Sequence, residues 1–223
     1  MATCILILGT PRSGTSCVAG VVHHLGIPTG EDCLPPDDWN PVGYFQDKAF
    51  EDILHACFGF FHFPQWDEVI NRPPGRFSNE STRTLKQTAT AIRNLAAQRA
   101  ATHEIWGVKS NRLSFFLDAL ALGAGDDVRI IQTFRPEAES IASWKARSQY
   151  EDDEAVKPIR YMAHAITKGM ERAAVAPDLV VDYNGLIDET ETWVTRIADV
   201  CGVPVTQEAL TFVNAGFRRF GNG

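Results

Sequence analysis

Apolar residues along this chain fall into short unbroken runs that alternate with stretches where they recur every third or fourth position. Thr3–Leu8 is one such run, closed by a glycine, and reads as a buried strand. Val18, Val21, Val22 and Leu25 follow at i, i+3, i+4 and i+7, predicting a helix that ends at Gly26. Glu104–Val108, Val128–Thr133 and Leu179–Asp182 read as three further strands. Helices are expected near Ala49–Cys57, over Ser81–Thr102, over Asn111–Leu122, over Ile159–Ala174 and over Glu189–Cys201, with a short one near the end. Another starts with Pro136 at its first position, where the missing N–H costs nothing. Strands alternating with helices predict an α/β fold of three layers, a central parallel sheet flanked by helices on both faces.

Two stretches break the rhythm. Ile27–Asp47 is rich in Pro, Asp and Gly, and long irregular segments of compact domains usually lie over a site. An aromatic stretch, FGFFHFPQW, and a turn-rich piece, NRPPGRFSN, follow the short helix. Together they suggest an insertion over about 27–80 within one domain spanning 1–223. The second break is the acidic segment SQYEDDEAVKP, expected as a loop before the helix at Ile159.

Composition narrows the function classes. With 223 residues, 44% hydrophobic and 22% charged, the chain has ample material for a core. A net charge of −7 argues against a broad nucleic-acid surface, so any anion must be held in a local pocket of cations. The five cysteines lack C-x-x-C spacing and suggest reduced thiols and no metal site. No apolar run approaches the roughly 20 residues of a membrane helix, and the first strand starts too early for a signal peptide. A cytoplasmic protein without a membrane partner is the expectation.

The chemistry concentrates where the first strand ends. ILILGTPRSGTS, Ile5–Ser16, carries the G-x-x-x-x-G spacing of a phosphate loop, giving the fold a P-loop-like character. Thr15 stands where a kinase or ATPase places its lysine, so γ-phosphoryl transfer is disfavoured. Backbone N–H groups of Ser13, Gly14, Thr15 and Ser16 open a helix whose positive dipole end suits an anion. The second strand leads to Lys109, the third to Arg135 and the fourth to Tyr183. Ligands of open α/β sheets bind at the carboxyl ends of strands, so Arg12, Lys109 and Arg135 should converge on one anion site.

The pairing of P-R-S-G-T-S after the first strand with R-x(7)-S, from Arg135 to Ser143, resembles the PAPS-dependent sulfotransferases. NPVGYFQD, GVKSNRL, VVDYNGLIDE and AGFRRF are similar to pieces of the bacterial and tyrosylprotein branches, from Ile5 to about Phe220. The resemblance implies that Arg12, Ser13, Gly14, Thr15 and Ser16 hold the 5′-phosphosulfate of PAPS. It implies that Arg135 and Ser143, rather than Ser140, hold the 3′-phosphate. Arg12 and Lys109 would neutralise the sulfonyl and leaving oxygens. Tyr183 would lie near the donor, and Arg218 and Arg219 would reach the 3′-phosphate or the acceptor.

What the resemblance implies about activity is in-line transfer of a sulfonyl group to a hydroxyl or amine, with PAP as product and no metal required. The acceptor would be a small molecule, glycan or peptide bound by the insertion. Cytosolic relatives carry a histidine two residues after the lysine, where this chain has Asn111. The tyrosylprotein branch uses a glutamate in the loop after the first helix, which points to Glu31 or Asp32 as general base. NPVGYFQD carries Gln46 where relatives have glutamate, leaving Asp47 as a further candidate. A small-molecule or nucleotide kinase and a non-catalytic PAP(S)-binding module are the alternatives.

Overall fold

Cys4 to Leu8 are all buried in β1 (Thr3–Gly9), as a run without polar interruption requires. The computed structural model describes residues 2–38, 40–60, 79–125, 127–148 and 152–213. β1 is followed by α1 (Thr15–His24), α2 (Lys48–Phe60) and α3 (Asn79–Thr102). β2 (Ile105–Lys109), α4 (Leu117–Ala124), β3 (Asp127–Phe134), α5 (Glu137–Ser148) and α6 (Asp152–Ala173) come next. β4 (Leu179–Asp182), α7 (Tyr183–Asp188), α8 (Thr190–Cys201) and α9 (Gln207–Phe212) complete the order.

The strands form one sheet in the order β2-β1-β3-β4, with every pairing parallel. Alternate residues of β1 serve different layers. Cys4, Leu6 and Leu8 join Phe50, Ile92, Trp106, Leu120 and Ile166 beneath α2, α3, α4 and α6. Ile5 and Ile7 join Val18, Val22, Val181 and Ile197 beneath α1 and α8. The expected three-layer α/β architecture is the one observed.

Two predicted boundaries are corrected. The helix expected over Asn111–Leu122 is a 3-10 segment, Asn111–Phe116, that passes into α4. Leu113, Ser114, Phe115 and Phe116 are all buried there, so the segment is enclosed on every side. The acidic segment expected as a loop is largely helical, because α6 begins at Asp152 and contains Pro158. Core packing of Ile159, Ala165, Ile166 and Met170 outweighs the one backbone bond that proline removes. α7 was not anticipated. It starts where the Asp182 side chain accepts from the Asn184 N–H at 3.2 Å.

The C-terminal end of α1 carries a pH-sensitive contact. His23 lies on the exposed side of the helix, with its ring 5.4 Å from that of Phe45. Burial, and then the neighbouring His24, lower its pKa from 6.5. The folded chain therefore binds this proton less tightly than the unfolded chain, and stability is lost as pH falls through about 6.5. The melting temperature should drop between about pH 7.5 and 5.5, and His23→Gln should shrink that drop. An identical drop in the variant would rule out this source.

Candidate functional site

Parallel register brings the strand ends level. Ile7 lies opposite Lys109, Gly9 opposite Thr133, and Phe134 opposite Asp182. The loop after β1 thus shares one sheet edge with Lys109, Arg135 and Tyr183. Two glycines let that loop close. A Cβ on Gly9 would stand 2.6 Å from Ser13 Oγ and 2.8 Å from Thr15 Cγ2. Gly14 has φ +93°, and the Tyr183 ring occupies the space a Cβ would need. Gly14→Ala combines left-handed strain of about 1–2 kcal/mol with displacement of Tyr183. We expect a lower melting temperature by calorimetry; a wild-type melting temperature in the variant would contradict this loop geometry.

The loop is tensioned around Arg12, a non-glycine residue at φ 67°. Ser13 is fully buried and its hydroxyl donates to Thr10 O at 2.7 Å, with Thr133 Oγ1 at 2.6 Å. That hydroxyl braces the loop from within. The N–H of Ser13 is likewise used, on Thr10 O at 3.2 Å. No partner for the N–H groups of Gly14, Thr15 and Ser16 is found among the described residues, as expected of an anion-accepting helix start. Thr15 is buried at the head of α1, and Ser16 Oγ lies 3.1 Å from Lys109 Nζ.

The cations link the elements. Arg12 Nε donates to Ser143 Oγ at 2.9 Å, joining the first loop to α5 across the sheet edge. Arg135 is buried, with its guanidinium carbon 5.1 Å from the Tyr183 ring centroid and Nη1 3.5 Å from Arg12 O. Its Nε donates to Glu139 Oε2 at 3.0 Å, and Asn184 Nδ2 holds Glu139 from the other side at 3.1 Å and 3.2 Å. Arg135 and Glu139 thus form an i, i+4 ion pair in which the arginine is the buried partner. Ser140 is fully buried, and its Oγ has no partner among the described residues. Arg218 and Arg219 lie outside the described residues, as do Phe61, Phe63 and Trp66 of the aromatic stretch.

The candidate acids separate clearly. Asp47 is 2% exposed and fully engaged: Arg99 Nε and Nη2 reach Oδ2 at 2.9 Å and 2.8 Å, and the Ala49 N–H reaches Oδ1 at 2.9 Å. The same guanidinium holds Glu31 Oε1 at 2.6 Å. Asp32 is exposed, its backbone carbonyl accepting from the Lys48 N–H at 2.8 Å. Gly30 is needed here, because a Cβ would stand 2.8 Å from Asp47 Cα. Three residues of this region escaped sequence reasoning: Tyr44, Glu51 and Arg99. Tyr44 O accepts from Lys109 Nζ at 3.4 Å, drawing the long loop onto the sheet edge. Gln46 Nε2 donates to Glu51 Oε1 at 2.8 Å, and Arg112 Nη1 lies 3.7 Å from Glu51 Oε2. Only the relation NPVGYFQD-x-x-x-E hinted at Glu51.

Other chemistries find little support among the described residues. Burial pushes the Cys17 thiol, on α1, up to about 12, leaving it protonated and unsuited to nucleophilic attack. No group of three or more His, Cys, Asp or Glu side chains suited to a metal ion occurs among the described residues. No described helix is long and apolar enough to cross a membrane.

Comparison with solved structures places the fold. The sulfotransferase STF1 of Mycobacterium tuberculosis superposes with a TM-score of 0.50 at 18% identity, covering 96% of this chain and 71% of that one. The sulfotransferase domain of a Synechococcus olefin synthase superposes with a TM-score of 0.56 at 17% identity, covering 100% of this chain and 81% of that one. The fold is shared with sulfotransferases. At these identities the likeness is one of architecture, reached without detectable sequence kinship: no protein-family model matches the chain, and no curated protein matches it.

Proposed function

We propose that this chain is a sulfotransferase that moves a sulfonyl group from PAPS to a hydroxyl or amine acceptor. The observation that carries this reading is the 2.9 Å bond from Arg12 Nε to Ser143 Oγ. It ties the loop expected at the 5′ end of the donor to the residue expected at its 3′ end. A kinase needs no such link, and its loop lysine is replaced by Thr15.

PAPS supplies the activated sulfonyl group and a phosphate leaving group; the chain supplies position and charge. Backbone N–H groups of Gly14, Thr15 and Ser16 would bind the 5′-phosphate at the positive end of α1. Arg12 and Lys109 would stabilise charge growing on the sulfonyl and bridging oxygens. Ser16 holds the lysine amine at 3.1 Å, aimed along the loop. Arg135 and Ser143 would bind the 3′-phosphate, with Glu139 and Asn184 fixing the guanidinium plane and Tyr183 packed beneath it. Ser13 contributes through the loop's shape. The acceptor would enter between the 27–47 loop and the following helix, as a small molecule, glycan or peptide.

Arg135→Ala tests the donor assignment. Loss of one charged hydrogen-bonding group should weaken PAP binding by about 1.5–3 kcal/mol, roughly 10- to 100-fold in Kd. Unchanged affinity in that variant would remove the 3′-phosphate from this site.

A further inference from the structure

Gln46 stands where a carboxylate is expected, and it points its amide at one. Glu51 is nearly buried, with 11% of its side chain exposed, yet its hydrogen bonding is incomplete. Oε1 accepts one bond, from the neutral Gln46 amide at 2.8 Å. Oε2 is 3.7 Å from Arg112 Nη1, close enough for charge attraction and too far for a hydrogen bond. Glu31 and Asp47, by contrast, share the Arg99 guanidinium. Both are engaged as partners of that guanidinium, whereas Glu51 carries no charged hydrogen bond.

Position favours Glu51 as well. Phe50 stacks on Trp106 of β2 with ring centroids 6.2 Å apart, setting α2 against that strand. Arg112 is three residues beyond Lys109, so its approach to Glu51 places this carboxylate at the carboxyl end of β2. From the other side, Tyr44 O binds Lys109 two residues before Gln46. Between them, Asn111 Oδ1 is buried and without a partner among the described residues. Of the other titratable groups on or beside this helix, Asp47, whose carbonyl takes the Glu51 N–H at 3.1 Å, is held by Arg99; Lys48 and Asp52 pair with each other at 2.6 Å; and His55, one turn on, is exposed.

Resting on the sulfotransferase reading, we infer that Glu51 is the catalytic base that takes the acceptor's proton. The acceptor oxygen forms a bond to sulfur while the bond from sulfur to the bridging oxygen breaks. That electron pair leaves on the 5′-phosphate of PAP, and the hydroxyl proton passes to Glu51 Oε2. Gln46 holds the opposite oxygen and aims the carboxylate.

The test follows ³⁵S-labelled PAPS, reading sulfate release to water and transfer to 4-methylphenol, whose hydroxyl stays protonated across the pH range used, alongside calorimetric PAP affinity. Glu51→Gln should lower turnover by about 100-fold or more, with PAP Kd within about twofold of wild type. Gln46→Glu puts a second carboxylate at hydrogen-bond distance from the base, raising the pair's apparent pKa and moving the acidic limb of the rate profile to higher pH. A purely structural Glu51 would not move that limb. Full turnover in Glu51→Gln, loss only in Glu31→Gln or Asp32→Asn, an unmoved limb in Gln46→Glu, or no wild-type turnover while PAP binds would each overturn the inference. Should Glu51→Gln lose PAP binding, the Gln46→Glu profile decides. Failure of the wild type to bind PAP strikes the sulfotransferase reading instead.

Discussion

Lys109→Ala should all but abolish sulfonyl transfer while leaving the chain folded and PAP binding largely intact. The side chain is buried, its amine held by Ser16 Oγ at 3.1 Å and Tyr44 O at 3.4 Å, and 5.9 Å from the Tyr44 ring centroid. A buried cation fixed at the sheet edge suits an anion whose charge grows during reaction. Removing one such donor costs about 10²–10³-fold in kcat. Arg12→Ala should fall at least as far, because its loss also breaks the bond to Ser143 and slackens the loop. Single-turnover rates with labelled donor separate this from weaker binding. A Lys109→Ala enzyme with wild-type kcat and raised KM would move the lysine from the reacting atoms to ground-state binding.

Arg99→Met should give the largest loss of stability among single changes at this site. Arg99 is the counter-ion of Asp47, which is 2% exposed, and it also holds Glu31. Removing it leaves a buried carboxylate uncompensated, at a cost of about 3–5 kcal/mol. For a chain of this length that corresponds to a drop of about 6–20 °C in melting temperature. Arg99→Met with Asp47→Asn should recover part of it, since the stranded charge is gone. The Ala49 N–H would retain an oxygen acceptor there, preserving the start of α2. A single variant that melts within about a degree of wild type would show that the pair carries no net burden of stability.

Much of the architecture was legible because it depends on local pattern. The unbroken apolar run of β1 suits a strand covered on both faces, and the spacing of the runs by helices matches the observed layers, while edge strand β4 leaves Val180 exposed. Pro136 marked the start of α5, its carbonyl taking the Glu139 and Ser140 N–H groups at 3.1 Å. Pattern failed where tertiary packing overruled it. Pro158 and the acidic run before it suggest a loop, yet α6 runs through both because its later turns are anchored in the core. The 3-10 turn at Asn111–Phe116 shows no such period either, since four consecutive residues, Leu113 to Phe116, are buried.

The candidate site divides along the same line. Arg12, Lys109, Arg135 and Tyr183 follow strand ends, and sheet register alone brings such positions to one edge. Arg99 could not be found this way. It lies 52 residues from Asp47 in a helix whose sequence gives no sign that one of its arginines turns inward. Glu51 was obscured for a related reason, because its meaning depends on Gln46 turning toward it. The bond from Arg12 to Ser143 spans 131 residues: the sequence shows both motifs, and only the fold shows that they touch.

Calorimetric titration of the wild-type chain with PAP, in parallel with ATP and adenosine 5′-phosphate, tests the central claim most directly. Two anion pockets at one sheet edge predict that PAP binds more tightly than either nucleotide lacking a 3′-phosphate. Arg135→Ala should erase most of that preference, by about 10-fold or more. Tighter binding of ATP, or equal affinity for PAP and adenosine 5′-phosphate, would contradict the account.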